Sequence, residues 1–210
     1  MRLTPWETKM DEILSRLPGC EWPLVRITMP VVAREFYRVS RAWRHTPDPI
    51  YIQPGIADYE VSDVRAVNVI AVDDVKIDGH RVYDTQYRDP DSFLLDRLTT
   101  RGSLQHLSFH EGQLWMSPVP EVAGTFTLRL FLEPLDTCAG IPTHLAPLHL
   151  DAIAAGTIAD LKMMAGMPWS GDTQGAAYAR AKFEAGRNRA RIAAERGGLP
   201  RVERNKPFWW

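Results

Sequence analysis

The sequence predicts an α+β fold, in which N- and C-terminal helices form an antiparallel helical bundle with an inserted small β-sheet domain and an extended C-terminal tail. Three observations predict this organisation. Apolar residues recur at helical spacing in residues 1–45 and again in residues 142–197. Residues 46–141 instead contain short alternating runs separated by turn residues. Residues 198–210 follow a Gly-Gly pair and have neither period, so we expect a tail there.

Size and composition fit a globular protein. The 210 residues are 45% hydrophobic and 24% charged, with a net charge of −1. No run approaches eighteen uninterrupted apolar residues, so no membrane span is predicted. The two cysteines, Cys20 and Cys138, are far apart, which argues against a disulfide framework and favours a reducing compartment. The amphipathic N-terminus is unlike a signal peptide, so we expect a cytoplasmic location.

The first predicted helix begins at Thr4-Pro5-Trp6-Glu7. This is the pattern of a capping box, in which the Thr4 and Glu7 side chains each accept a backbone N–H. Pro5 suits the first helical position because its missing N–H would have no helical partner. Pro18-Gly19 ends the helix. Its predicted buried face consists of Trp6, Met10, Ile13, Leu14 and Leu17.

A second helix is predicted through VVAREFYRVSRAWRH, residues 31–45. Its predicted buried face consists of Val32, Phe36, Val39 and Trp43. The apolar period extends back through Leu24 and Ile27, across Pro30. Because a proline inside a helix removes one backbone hydrogen bond, we expect a kink or a restart near Thr28.

The β-type runs lie at residues 46–55, 58–62, 65–84, 104–120 and 124–135. Asp78-Gly79 and Glu111-Gly112 lie between alternating flanks and predict hairpin turns. A short helix is expected at residues 89–98. The last run predicts one partly solvated face, formed by Thr127, Arg129 and Phe131, and one buried face. That buried face consists of Phe126, Leu128, Leu130 and Leu132.

Two further helices are predicted near the C-terminus. The first runs through residues 149–166 and ends at Gly166. Its predicted apolar stripe is Leu150, Ile153, Ala154, Ile158, Leu161 and Met164. The second is long, is capped by Asp172 or Thr173, and has arginines around the rest of its surface. Its predicted contact stripe is Ala176, Ala179, Phe183, Gly186, Ala190 and Ala193.

Charge is unevenly distributed along the chain. Residues 46–98 contain eleven acidic and five basic residues, whereas residues 172–210 contain nine basic and four acidic ones. If the acidic and basic segments lie at opposite ends of the protein, their charges suit head-to-tail contact between copies, or a charged partner at one end.

No catalytic motif is present. The sequence lacks HExxH, GxSxG, a Walker loop and a GxGxxG after a strand. His106 and His110 would be separated by about 13 Å along a strand, too far for one metal ion. Asp73-Asp74 could hold a cation, although a solvated turn is the better interpretation. Neither cysteine has a basic neighbour in sequence. We therefore predict no enzyme, no metal and no cofactor.

The tail ends in Phe208, Trp209 and Trp210. It either packs back on its own helices or binds a partner. Tryptophan and arginine are the residue types most enriched at the centres of protein interfaces. Arg201, Arg204 and Lys206 precede the aromatic residues and would add charged contacts, so we interpret the tail as a binding peptide.

Two pairs of segments resemble a known family. REFYRVSRAWR is followed by DPIYI, and HLDAIAAGTIADLKMMAGMPWSG is followed by AAYARAKFEAGRNRARIAAERG. This pattern is similar to the head-to-tail adaptor (connector) proteins of tailed phages, of the tail tubular protein A type found in short-tailed phages. Two features depart from the family: Pro30 interrupts a helix that the family runs straight, and the Phe-Trp-Trp ending matches no family motif.

The resemblance implies a structural virion protein at the head-tail junction, assembled in the host cytoplasm. It implies a ring of identical copies, usually twelve, between the portal protein and the downstream tail (nozzle) protein. Genomic DNA would pass through the ring without sequence-specific binding, helped by acidic residues that repel it. By position, the implied portal-binding residues are Arg187, Arg191, Arg201, Arg204, Lys206, Phe208, Trp209 and Trp210.

Two other functions remain open at the level of sequence. The arginine-rich last helix could make the protein a nucleic-acid-binding module, although no aromatic residues alternate with its basic residues at a spacing suited to stacking on nucleobases. An unrecognised hydrolase or metal protein built around the β insertion is the third interpretation.

Overall fold

The computed structural model describes residues 2–61, 66–81, 86–87, 104–110 and 113–196. Within these ranges the chain is a mixture of α-helices and mainly antiparallel β-sheets, which confirms the α+β class. A 3-10 helix at Trp6–Lys9 precedes the first α-helix. The α-helices are α1 (Met10–Ser15), α2 (Trp22–Ser40), α3 (Ala146–Lys162) and α4 (Thr173–Glu195).

The strands fall into three sheets. They are β1 (Leu3–Pro5), β2 (Arg44–His45), β3 (Ile50–Ile52), β4 (Asp58–Glu60), β5 (Val67–Ile77), β6 (His80–Arg81), β7 (Gln86–Tyr87), β8 (His106–His110), β9 (Gln113–Ser117), β10 (Gly124–Pro134) and β11 (Gly140–Pro142). One sheet has the order β2-β10-β5-β6, with β3 also paired to β10. A second has the order β4-β9-β8-β7, in which only the described β7–β8 pair is parallel. The third joins β1 to β11.

The N-terminus is a strand and not a capping box. Thr4 pairs with Ile141 in the β1–β11 ladder, and Pro5 has an extended backbone. The Trp6 N–H donates to the carbonyl of Ala139 at 3.2 Å. The predicted Thr4 cap is therefore wrong, because these residues hydrogen-bond to a distant strand instead. The apolar spacing was correct, since Trp6, Met10, Ile13 and Leu17 are buried.

Helix α2 is longer at its start and shorter at its end than the sequence predicted. It runs unbroken across Pro30, so the expected restart near Thr28 does not occur. The Thr28 hydroxyl donates to the Leu24 carbonyl at 2.8 Å within the same helix. Arg41 ends α2 with a left-handed backbone (φ 51°).

The residues after α2 belong to a sheet. Trp43 is fully buried, but it precedes strand β2 and its carbonyl accepts the N–H of Leu132. The predicted helical face through Trp43 is therefore wrong beyond Ser40. Val39, predicted on that face, is half-exposed. The buried residues of α2 are instead Val25, Met29, Pro30, Val32, Ala33, Phe36, Tyr37 and Ser40.

The buried face predicted for β10 is confirmed. Strand β10 pairs antiparallel with β5 along its length, and Phe126, Leu128, Leu130 and Leu132 are buried as predicted. Phe131, predicted on the solvated face, is buried because the Arg41 and Arg44 guanidinium groups cover its ring at 5.8 and 5.2 Å.

The predicted turn at Asp78-Gly79 is confirmed. Strands β5 and β6 pair around it, and both turn residues have positive φ, as this kind of hairpin requires. Strands β8 and β9 pair antiparallel around the other predicted turn. That turn, Glu111-Gly112, lies outside the described residues, as does the short helix expected at residues 89–98.

Helices α3 and α4 cross at very close range. A Cβ on Gly186 of α4 would overlap the Cβ of Ala152 on α3. A Cβ on Gly156 of α3 would lie 2.5 Å from Cδ2 of Phe183 and 2.7 Å from Cγ1 of Val32 on α2. Three helices thus meet where the sequence places its smallest residues. The predicted α4 stripe is confirmed at Ala176, Ala179, Phe183 and Ala190, whereas Ala193 is exposed.

One end of the α3–α4 connection follows the sequence prediction. Asp172 caps α4, because its carboxylate accepts the N–H of Gly175 at 2.8 Å. Lys162, the last residue of α3, contacts the same carboxylate at 2.5 Å. The predicted helix end at Gly166 is wrong, because α3 begins at Ala146 and ends at Lys162, and Gly166 has a left-handed backbone in the connection that follows. The description of the helices as a bundle with an inserted β domain, with boundaries near residues 45 and 142, stays a prediction.

Substituting Gly186 tests the close crossing. Gly186→Ala should lower the free energy of unfolding by about 1–3 kcal/mol, because the added methyl group overlaps Ala152. In an exposed helix the same change would stabilise by about 1 kcal/mol, so the sign distinguishes the two environments. Urea unfolding measures it, with Ala181→Ser at an exposed position of α4 as the control. An increase in stability would contradict the crossing.

His149 should make stability depend on pH. It is buried on α3, with its ring centre 5.2 Å from that of Phe36, and burial lowers its pKa from 6.5 to about 4. Between these values the unfolded chain binds a proton that the folded chain does not. Stability should therefore fall as pH drops from 6.5 towards about 4, by up to about 3 kcal/mol from this group.

Unfolding curves at several pH values measure this effect. His149→Gln should remove that part of the pH dependence, whereas His80→Gln, at an exposed strand residue, should retain it. Parallel pH profiles for His149→Gln and the unsubstituted chain would contradict the assignment.

Candidate interaction surfaces

An open groove of about 960 Å³ runs along the outer side of the first half of α2. We call it the α2 groove. Its apolar lining consists largely of Trp6, Trp22, Pro23, Leu24, Ile27, Pro30, Val31 and Met164. The segment 136–139 between β10 and β11 forms one wall, and residues of α3 and its C-terminal end contribute to the other. This volume is at the upper end of the range for binding sites in proteins.

Secondary structure explains why this surface is apolar and exposed. Trp6 lies at the start of the first helical turn. Its indole N–H donates to the Cys138 carbonyl at 2.7 Å, which holds the segment 136–139 against that turn. Ile27 and Val31 lie on α2 opposite its buried face, with Ile27 65% exposed. An isolated exposed apolar residue is ordinary, but a contiguous groove of them marks a binding surface.

The charged groups that line the α2 groove include more carboxylates than cations. The carboxylates are Glu7, Asp136 and Asp160, against the guanidinium of Arg26 among its described lining residues. The Arg26 group lies over the Trp22 ring at 5.4 Å. Two of the carboxylates have cationic partners just outside the lining, because Asp136 pairs with Arg34 and Asp160 lies 3.6 Å from Arg180. The groove thus combines an apolar lining with three carboxylates whose charge is partly offset.

Sequence reasoning missed the α2 groove. It extended the apolar period through Ile27 and expected a kink or a restart near Thr28. Val25, Met29 and Pro30 are the residues buried in this part of α2, whereas Ile27 is exposed. The available signal was the pair Ile27 and Val31, which lie four residues apart on the face opposite Val25 and Met29.

The arginine-rich helix α4 is partly committed to internal ion pairs. Glu35 of α2 accepts hydrogen bonds from Arg180 and Arg187, each at 2.7 Å. Both guanidinium groups also lie over the Phe183 ring, at 4.9 and 5.4 Å. Arg187, predicted as a portal-binding residue, therefore contacts α2, and its side chain is only 18% exposed.

The other predicted portal-binding residues differ in position. Arg191 is half-exposed on α4 and lies 3.8 Å from the Glu195 carboxylate. Six of the predicted residues lie outside the described part of the chain, namely Arg201, Arg204, Lys206, Phe208, Trp209 and Trp210. The assignment of these eight residues to portal binding stays a prediction.

The described residues also locate the groups considered for catalysis or metal binding. His106 and His110 lie on strand β8, as predicted. Asp74 lies among cations, 3.0 Å from Nε of Arg81 and 3.8 Å from the side-chain nitrogens of Lys76 and Arg129. Within the described ranges, no group of three or more His, Cys, Asp or Glu residues is arranged to hold a metal ion.

The two cysteines are placed unlike reactive nucleophiles. Burial raises the pKa of both the Cys20 and the Cys138 thiols, so both favour the protonated, unreactive form. The Cys138 thiol donates to the Gly140 carbonyl at 3.0 Å. Among the helices described, none is long and apolar enough to cross a bilayer.

Comparison with known families gives one result. The family model described as SU10 adaptor protein matches residues 11–204, which cover the helices, the β region and part of the tail. No curated protein matches the chain. The match supports the resemblance to phage adaptors, whereas the narrower resemblance to the tail tubular protein A type rests only on the sequence segments quoted above.

Two arginines on α4 provide a matched test of their roles. Arg187→Ala should lower the free energy of unfolding by about 1–3 kcal/mol, because it removes a charge-assisted hydrogen bond to Glu35. Arg191→Ala should change it by no more than about 0.5 kcal/mol, because its ion pair is exposed. Chemical unfolding of both variants measures this. Equal losses would mean that Arg187 does not hold α4 against α2.

Proposed function

Because the chain belongs to the SU10 adaptor protein family, which is a family of phage structural adaptors, we propose that it joins the portal to the tail of a phage particle as a ring of identical copies. The observation that carries this proposal is the family match over residues 11–204. As a phage adaptor the protein is a component of the virion.

The proposed ring has twelve copies and binds the portal protein on one side and the downstream tail (nozzle) protein on the other. Genomic DNA passes through its lumen without sequence-specific contacts. The solvated acids of the β region, including Asp48, Asp58 and Glu60, suit a surface past which DNA slides, because negative charge repels the phosphate backbone. No catalytic step is part of this function.

The proposed portal anchor is the end of α4 with the tail. Arg191, Arg201, Arg204 and Lys206 supply positive charge, and Phe208, Trp209 and Trp210 supply apolar area. Arg187 contributes by holding α4 against Glu35 of α2. Burial of three aromatic side chains would provide several kcal/mol per copy, roughly 2 kcal/mol for each side chain. Repeated around a ring, modest anchors give tight attachment through multivalency.

A nucleic-acid-binding module is the alternative function. Its support is the exposed positive charge of α4, which includes Lys182, Arg189 and Arg196. Two other basic residues of the helix, Arg180 and Arg187, share the single carboxylate of Glu35, which partly offsets the charge that α4 presents to a phosphate backbone.

Binding to the cognate portal ring tests the proposal. The full chain should cosediment with the portal, whereas a chain ending at Gly198 should bind at least about 100-fold more weakly, because the aromatic anchor is lost. A triple variant with alanine at Phe208, Trp209 and Trp210 should behave like the truncated chain. Glu203→Ala, within the same tail, is the control and should bind normally.

The outcomes separate the candidate functions. Equal binding by the full and shortened chains would move the portal contact away from the tail. Failure of the full chain to bind the portal would contradict the adaptor ring. Duplex DNA binding that weakens steeply with salt would then favour the nucleic-acid-binding module.

A further inference from the structure

A second surface complements the α2 groove. Tyr178, Lys182, Ala185, Arg189 and Ile192 follow one another on α4 at steps of four, three, four and three residues, so they form one line along the helix. We call this line the α4 stripe. All five side chains are exposed, with Tyr178 72% exposed and Ile192 less so. The stripe carries two positive charges between an aromatic and an aliphatic residue.

We propose that the α4 stripe of one copy docks in the α2 groove of the next copy. The inference rests on the proposed function, because it assigns the contact between neighbours in the ring. Tyr178 would enter the apolar floor, as amphipathic helices do when they bind grooves. Lys182 and Arg189 would approach the carboxylates at the edges of the groove.

Charge favours this occupant. The groove has more lining carboxylates than cations, and the stripe has cations and no carboxylate. From Trp22 to Val31 the groove follows α2 for about 14 Å, whereas from Tyr178 to Ile192 the stripe runs for about 21 Å, so the groove holds part of the stripe. Two like-charged surfaces would repel each other, so groove-to-groove or stripe-to-stripe contact is disfavoured.

The two surfaces lie on different sides of α4. Arg180 contacts Asp160, which lines the groove, at 3.6 Å. Tyr178 is two residues from Arg180 on α4, so it points to nearly the opposite side of the helix. The stripe of a copy therefore faces away from the groove of that same copy. A contact between these two different surfaces is heterologous, and heterologous contacts form a ring when the rotation between neighbours closes.

Disulfide trapping between two separately purified variants tests the contact. One variant carries Ile27→Cys in the α2 groove and the other carries Tyr178→Cys in the α4 stripe. Both carry Cys20→Ser and retain the buried Cys138, and a Cys20→Ser chain without an added cysteine measures the background. Docking holds the two cysteines at high effective concentration, so the mixed dimer should exceed either homodimer by about tenfold.

A matched control uses Glu184→Cys in place of Tyr178→Cys. Glu184 is also exposed on α4 but lies about 120° around the helix from Tyr178, so its mixed dimer should stay at background. Adding Lys182→Glu and Arg189→Glu to the Tyr178→Cys chain should reduce the mixed dimer to background as well. Adding Glu7→Lys to the Ile27→Cys chain should restore part of it in that combination.

Several results would overturn the inference. These are homodimers as abundant as the mixed dimer, trapping from Glu184→Cys equal to that from Tyr178→Cys, and mixed dimers that do not respond to charge reversal. Absence of any disulfide above background at high protein concentration would also overturn it. The adaptor proposal is tested separately: portal-bound rings that form normally with the stripe reversed would leave that proposal standing and refute this interface alone.

Discussion

The buried carboxylate of Glu133 connects the helices to the sheet, and the position of every surface described above depends on that connection. Glu133 lies on β10 and is almost fully buried. It accepts two hydrogen bonds from the Arg38 guanidinium of α2, at 2.8 and 2.7 Å, and one from the Asn68 amide on β5 at 3.1 Å. A buried carboxylate is stable only when it is paired in this way, because an isolated one has lost its hydration. The interaction therefore fixes α2 against two strands. One turn earlier, Arg34 extends the same contact to the Pro134 carbonyl and the Asp136 carboxylate, at the wall of the α2 groove.

Other residues of α2 determine where α4 lies. Glu35, three residues before Arg38, binds Arg180 and Arg187, while Val32 and Phe36 pack where α3 and α4 cross. Because Gly156 and Gly186 allow the backbones to approach closely, α4 is held against both α2 and α3. Its remaining side is left outward, with Tyr178 and the exposed bases. Helix α2 thus forms part of the α2 groove, and by holding α4 in place it also determines where the α4 stripe lies. The outward surfaces are consequences of the internal packing.

The distribution of chemistry over the molecule suits a protein that acts through surfaces. Burial raises the pKa of both thiols, and Asp74 lies among three cations. Exposed charges are separated by region, with bases on α4 and carboxylates around the α2 groove. Such a division favours contact between unlike surfaces of identical chains. A phage structural adaptor acts through the surfaces that contact other head and tail components.

The sequence by itself determined the α+β class, the main strands, the cap at Asp172 and the small-residue face of α4, because each follows from local spacing or local backbone chemistry. The quoted segments also gave the adaptor resemblance, which the family match supports. Tertiary structure decided the rest. Thr4 became a strand residue because its partner, Ile141, is 137 positions away. Pro30 stayed inside α2 because packing on both sides of the helix outweighs one missing hydrogen bond. Arg187 turned inward because Glu35 lies on another helix, and the α2 groove exists only where residues 6, 27 and 138 meet. Sequence periodicity identifies which face of a helix is apolar, but only the packed neighbours determine which apolar residues remain uncovered.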